Sequence, residues 1–153
     1  MPTSAALLLF RERADGALEV LLGHMGGPFW ARKDEGAWSI PKGELDPGEA
    51  PLAGARREFA EELGQAPPDG PVIELGEVRQ KAGKRVIAFA IEGDLDPAQI
   101  VPGTFELQWP PRSGRTQTFP EVDRVAWFDL ESAAAKIVRG QAALLERLAA
   151  LRD

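Results

Sequence analysis

A chain of 153 residues, 44% hydrophobic and 27% charged, has the composition of a folded domain rather than of a disordered segment. It has no cysteine, which excludes a disulfide scaffold, a thiolate metal centre, an iron–sulfur cluster and a cysteine nucleophile; its single histidine excludes a multi-histidine centre. A formal net charge of −6 argues against general affinity for nucleic-acid polymers, and no apolar run approaches the roughly 18 residues of a membrane-spanning helix.

Ser4 to Arg11 and Leu18 to Gly23 read as two strands joined by a turn. The apolar run from Ala5 to Phe10 is too short for a signal-peptide core, and no positive residue precedes it. With the missing cysteines, this leads to an expected cytoplasmic location. Gly26 to Gly36 is a loop carrying Phe29 and Trp30, and lone His24 follows the second strand, a residue of structure more than of catalysis. Trp38-Ser39-Ile40 is extended, because Pro41 disfavours helix at Ile40. Asp46-Pro47-Gly48 is a tight turn. The next segment, Pro51 to Leu63, is a helix. Proline suits its first turn, Gly64 suits the position past its end, and Leu52, Ala55, Phe59 and Leu63 form one apolar stripe.

Val72 to Gln80 and Arg85 to Glu92 form a hairpin around Lys81-Ala82-Gly83-Lys84. Gly93 to Pro120 carries five prolines and no clean period, so it reads as one long irregular loop of functional character. Arg124 to Asp129 is a strand around Val125 and Trp127. The alanine-rich remainder gives two short helices broken near Gly140, whose apolar face packs on the core. This order of elements predicts one α/β domain over residues 1–153, a mixed sheet covered by helices.

The chemistry concentrates in the first helix. Glu58, Glu61 and Glu62 fall within an arc of roughly 100° on one helical face. Between Gly43 and Gly64 there are six acids and two bases, a local −4 that is most of the chain's net charge. Like charges at this spacing repel by a few tenths of a kcal/mol, and a bound cation relieves that cost. With only oxygen donors at hand, the cation is expected to be Mg²⁺, with Mn²⁺ as substitute. Spacing alone favours a solvated acidic face, because charge runs are usually that.

Gly43 to Gln65 reads GELDPGEAPLAGARREFAEELGQ. This resembles the signature of the Nudix hydrolases: Gly43, Glu49 after five residues, then Arg57, Glu58, Phe59, Glu61, Glu62 and Gly64. Gln65 departs from it, where the family usually has an aliphatic residue. The resemblance implies an α/β/α sandwich with a loop-helix-loop catalytic motif. It implies that Glu58, Glu61 and Glu62, with the carbonyl of Gly43, hold divalent metal and help to activate water. It also implies that Glu49 and Arg57 form a structural ion pair.

Trp38-Ser39-Ile40-Pro41-Lys42-Gly43-Glu44 is similar to a string found in the diadenosine tetraphosphate hydrolases and diphosphoinositol polyphosphate phosphatases of this family. Glu121, six residues before Trp127, resembles a further metal-site carboxylate of the first group, although Val122 stands where a histidine is usual. The implied reaction is Mg²⁺-dependent hydrolysis of a diphosphate linkage in a nucleoside diphosphate derivative, with a dinucleoside polyphosphate as favoured substrate. Nucleoside triphosphates, diphosphoinositol polyphosphates and nucleotide sugars are alternatives, as is a catalytically silent nucleotide-binding module. The isomerase branch relies on a cysteine that this chain lacks. The partner is expected to be a small-molecule nucleotide, with no nucleic-acid polymer, no membrane and the oligomeric state open. Phosphate would meet Lys42 first, then Arg79, Lys81, Lys84, Arg85, Arg112 or Arg115; Phe29, Trp30 and Trp109 are candidates for stacking on a base.

Overall fold

A computed structural model describes residues 2–152. Its centre is the strand β1 (Thr3–Glu12), buried on both faces from Ser4 to Phe10. One edge of β1 pairs in parallel with β6 (Arg85–Glu92), from Thr3 opposite Arg85 to Phe10 opposite Glu92. The other edge pairs antiparallel with two strands in succession, β4 (Lys42–Glu44) near its start and β2 (Leu18–Met25) near its end. β5 (Val72–Arg79) lies outside β6, while β3 (Trp38–Ser39) and β9 (Val122–Asp129) pair with β2. The sheet is therefore mixed, as the order of elements predicts.

Successive strand residues face opposite sides, so β1 supplies two cores at once. Ala6, Leu8 and Phe10 join one cluster with Leu144, Leu145 and Leu148 of the C-terminal helix α3 (Ala142–Arg152). Ala5, Leu7 and Leu9 join the other with Ala55, Phe59 and Leu63 of α1 (Pro51–Leu63). Helices on both faces of the sheet make the expected α/β/α sandwich. Each buried Leu or Phe contributes roughly 1.5–3 kcal/mol of transfer free energy, and both layers depend on the same strand.

α1 begins without a side-chain cap at Ala50 but with Pro51 at its first position, where no N–H is needed. Its end is built more firmly. Gly64 is left-handed at φ 69°, and its N–H donates to the Ala60 carbonyl. The final carbonyls of the helix then meet a distant segment: Val101 N–H donates to Leu63 O at 2.9 Å, and Gly103 N–H to Glu62 O at 3.3 Å.

Two readings of the sequence need correction. The stretch Gly93 to Pro120 is not one irregular loop; it holds a 3₁₀ turn at Pro97–Gln99 and a separate hairpin of β7 (Thr104–Gln108) and β8 (Thr116–Pro120). Period-two alternation from Thr104 to Gln108, with Phe105 and Leu107 half-buried, is the signal that the nearby prolines obscured. His24 lies within β2 rather than after it. The C-terminal region forms two short helices broken around Gly140, as the sequence predicts. α2 (Leu130–Lys136) gives way to extended backbone at Ile137 and Val138, then to a 3₁₀ turn at Arg139–Gln141.

A side chain at residue 64 has no space, because a Cβ there would sit 2.4 Å from the Val101 carbonyl oxygen. We expect Gly64→Ala to destabilise the protein by at least about 1 kcal/mol, from left-handed strain alone before the collision is added. Urea unfolding checks this as a lower midpoint at unchanged slope.

Candidate active site

The approach to the site runs along Trp38 to Glu44. The Leu7 N–H fixes the Pro41 carbonyl at 3.1 Å, and β4 then pairs with Ser4 to Ala6. This lays Gly43 directly under α1. A Cβ on Gly43 would lie 2.0 Å from the carboxyl carbon of Glu58, so any other residue would push the helix face or its carboxylate away. The backbone and the Glu58 carboxylate can approach only because residue 43 has no side chain.

Arg57 organises the acids around it. Its Nε and Nη2 each donate at 2.8 Å to the two oxygens of Glu49, a bidentate pair. Nη1 donates to Glu58 at 2.9 Å and to Glu61 at 3.1 Å, and Nη2 also reaches the Glu44 carbonyl. Glu49 in turn accepts from the Asp46 N–H, which closes the loop before the helix. The Arg57 guanidinium first, and the Asp46 amide second, hold the Glu49 carboxyl down at about 2. Glu49 thus faces Arg57 and its own loop, at one remove from the other carboxylates.

Glu62 lies deeper. Burial pushes its carboxyl up to about 8; Glu121 and Glu58 push in the same direction, and Lys42 opposes them. Glu58 is raised by burial first, with Glu61 and Glu121 adding to it against Arg57. Glu121 is raised by burial and then by Glu61. Lys42 is lowered by burial and by the charge of Lys84, while the glutamates resist. Glu121 arrives by way of the segment that meets the end of α1, since its N–H donates to the Gly103 carbonyl at 2.8 Å. Lys42, Glu62, Glu121, Gln80 and Gln141 line a cavity of about 200 Å³. A wider apolar groove of about 740 Å³ lies between Ala50–Leu52 and the β5–β6 face, and Glu74 is the one acid in its lining. Of the candidate residues, Lys42, Glu62 and Glu121 thus line the smaller cavity, and none lines the groove.

The donors here are all mutually repelling oxygens, with Glu58 and Glu62 partly buried and Glu61 and Glu121 exposed, a set that suits a hard divalent cation. Among the described residues, no three acidic or histidine side chains are drawn together as a finished metal cage. Arg57 explains part of that, because it holds Glu58 and Glu61 in ion pairs. Glu61 stands at the outer rim with its side chain 56% exposed.

Other candidates disperse. Arg79, Lys81, Lys84 and Arg85 cluster at the β5–β6 turn, with Arg85 paired to Glu77. Arg112 and Arg115 are exposed between β7 and β8. Phe29 and Trp109 meet edge to face at 5.3 Å, whereas Trp30 packs against the core. His24 is fully buried between Asp123 at 2.9 Å, the Lys33 carbonyl at 2.6 Å and the edge of Trp38, which makes it structural. Sequence reasoning missed Gln80 and Gln141, whose pairing spans 61 residues and leaves no local pattern.

A carboxyl whose pKa is raised on folding stabilises the fold below its unfolded value and loses that contribution as pH rises through the folded one. In buffer free of divalent metal, stability should therefore fall between about pH 4.5 and pH 8 through Glu62. Glu62→Gln keeps the shape and removes the charge. We expect it to be more stable than the parent at pH 8, by on the order of 1 kcal/mol, and to flatten this slope in urea unfolding followed against pH.

A family model described as NUDIX domain matches residues 1–148. An RNA pyrophosphohydrolase of Francisella tularensis subsp. mediasiatica is 42% identical over 62 residues, which are 40% of this chain and 39% of that protein, so the match spans less than half of the relative. An RNA pyrophosphohydrolase of Agrobacterium fabrum is 32% identical over 130 residues, covering 74% of this chain and 69% of that one. Among solved structures, an Ap4A hydrolase of C. elegans in a binary complex superposes with a TM-score of 0.67 over 99% of this chain and 98% of its own. At 22% identity, that likeness is one of fold. The signature helix, the sandwich around β1 and a family match over nearly the whole length agree, and the chain belongs to the Nudix family.

Proposed function

We propose that the protein hydrolyses a diphosphate linkage in a nucleoside diphosphate derivative with the help of Mg²⁺, for which Mn²⁺ can substitute. The observation that carries this is the placement of half-buried Glu58 against the Gly43 backbone and of half-buried Glu62 with Lys42 and exposed Glu121 in one cavity lining, the three carboxyls all raised in proton affinity. Carboxylates kept from water at the expense of stability are the signature of a site built for a cation or a proton. Glu58, Glu61, Glu62 and the Gly43 carbonyl would hold the metal, with Glu121 as a further carboxylate. A bound divalent ion supplies neutralisation of phosphate charge and a more acidic water.

The chain's own groups do the rest. Arg57 aims Glu58 and Glu61. Lys42 offers a cation to the phosphates from within the cavity lining. Most of the catalysis would be positioning and charge neutralisation.

The substrate class we favour is a dinucleoside polyphosphate. Its support is the Trp38-to-Glu44 string, the position of Glu121 and the fold shared with the C. elegans Ap4A hydrolase. The exposed edge-to-face pair of Phe29 and Trp109 offers aromatic surface to a base. A second reading, the triphosphorylated 5′ end of an RNA, is favoured by the RNA pyrophosphohydrolases among the relatives. The net charge of −6 weighs against it, since a long polyanion gains nothing from the remote surface.

Product analysis with Mg²⁺ and a panel of diadenosine tetraphosphate, nucleoside triphosphates, ADP-ribose, a diphosphoinositol phosphate and a triphosphorylated RNA tests the proposal. The expected outcome is conversion of the tetraphosphate to ATP and AMP. Loss of at least about a hundredfold in rate is expected in Glu61→Gln/Glu62→Gln. Cleavage of another panel member by the parent alone keeps the site and replaces the substrate. No cleavage with either metal overturns the hydrolytic reading in favour of a silent binding module.

A further inference from the structure

One part of the cavity lining is set by a chain of amides. The Gln141 side chain is completely buried. Its Oε1 accepts the Ile40 backbone N–H at 2.9 Å. Its Nε2 donates to Ser39 Oγ at 2.9 Å and to Gln80 Oε1 at 3.1 Å. The Ser39 hydroxyl donates to the Ile40 carbonyl at 2.9 Å.

The polarity of this chain has one solution. A backbone N–H can only donate, so Gln141 must turn its oxygen to Ile40 and its NH₂ to Ser39 and Gln80. Gln80 must then answer with its oxygen. That leaves the Gln80 NH₂ group with no hydrogen-bond partner among the described residues, although no buried side-chain nitrogen or oxygen lacks one. The group is therefore open to solvent, and Gln80 lines the cavity beside Lys42 and Glu62.

The Gln80 side chain is also held in place. A Cβ on Gly140 would lie 3.1–3.3 Å from Gln80 Cα, Cβ and Cγ, so the C-terminal segment packs directly on it. The Gln80 N–H donates to Lys84 O at 2.7 Å, which closes the turn that carries Lys81 and Lys84. An N–H donor held in the lining beside Lys42 matches an anionic oxygen acceptor, while Glu62 and Glu121 of the same lining suit the cation that would accompany it.

We propose that Gln80 contacts substrate by donating its Nε2–H to a non-bridging phosphate oxygen, and that Gln141 is the positioning residue that fixes which end of the Gln80 amide meets the cavity. The substrate half of this inference rests on the hydrolytic reading above. The polarity half rests on the hydrogen bonds alone.

Two near-isosteric variants separate donor from scaffold. Gln80→Glu still accepts from Gln141 but presents an acceptor and a negative charge to the phosphate. Gln141→Glu still accepts from Ile40 but no longer donates to Gln80, so the Gln80 amide turns its NH₂ inward and its oxygen to the cavity. In both, KM for diadenosine tetraphosphate should rise about tenfold or more, while kcat changes much less. Gln80→Met removes the donor and adds no charge, so KM within about twofold of the parent in that variant marks a purely structural role.

A second readout avoids turnover. The side-chain ¹H–¹⁵N signals of Gln80, identified by their loss in Gln80→Glu, should shift when Mg²⁺ and inorganic tripolyphosphate are added. The Gln141 amide protons should stay protected from exchange throughout. If the panel is cleaved but KM is unchanged and the Gln80 signals stay still, the inference fails and the hydrolase stands. If nothing is cleaved but tripolyphosphate moves the Gln80 signals, the hydrolytic reading fails and Gln80 remains a phosphate donor. A response to adenosine and none to tripolyphosphate overturns the phosphate assignment.

Discussion

The helix α1 carries acids that repel one another on the face beside its buried stripe, and the rest of the site is arranged around that repulsion. Arg57 is the local answer: a single guanidinium serves Glu49, Glu58, Glu61 and the Glu44 carbonyl together. An isolated surface pair contributes little, because water screens it and two long side chains must be ordered. Here the fork is shared, and the Glu49 and Glu58 side chains are only 16% and 14% exposed. The same contacts couple sequence elements, since Glu49 belongs to the loop before the helix and Glu58 to its middle. Arg57 therefore does two jobs, lowering the cost of the acids and fixing the loop that leads from Gly43 to Pro51.

Holding the acids also requires the helix to end in a defined place. Helix ends leave carbonyls without partners. In α1 the last ones are taken by Gly64, Val101 and Gly103. The segment that caps the helix is also the one that delivers Glu121, through the Gly103 carbonyl. Local backbone satisfaction and assembly of the charged cluster are thus the same event. A stretch of chain that joins β6 to the β7–β8 hairpin becomes part of the site because the helix has unpaired groups for it to bind.

This explains what could be read in advance. α1 was legible because its apolar spacing, its proline and its terminal glycine are all local, and the structure returns the same bounds, Pro51–Leu63. The continuous apolar runs of β1 and β6, bounded by turn residues, were legible for the same reason. The β7–β8 hairpin was hidden, because five prolines masked a short alternating run that has its own small sheet. Glu121 was visible only through resemblance, since its proximity to α1 depends on backbone contacts across 18 residues. Gln80 and Gln141 could not be read at all. Glutamine carries no charge, has no fixed spacing here, and gains its meaning only when Ile40, 101 residues away from Gln141, is placed beside it.

The finished cavity has two electrical sides of different origin. Its acid side is charged and costly: burial raises Glu62 and Glu58, and each acid raises its neighbours. Its donor side is largely neutral and inexpensive, because an amide fixed by hydrogen bonds keeps its direction without carrying a full charge out of water. Lys42 sits between the two, lowered by burial and Lys84 and supported by the glutamates. A diphosphate with a divalent cation has the complementary layout, positive where the acids are and rich in acceptors where the amide and lysines are. Neither half would bind it well alone, because the acids would repel the phosphate and the donors would repel the metal. The sandwich brings them together through β1, against which both β4, with Lys42 and Gly43, and β6, at the root of the Gln80 turn, are paired.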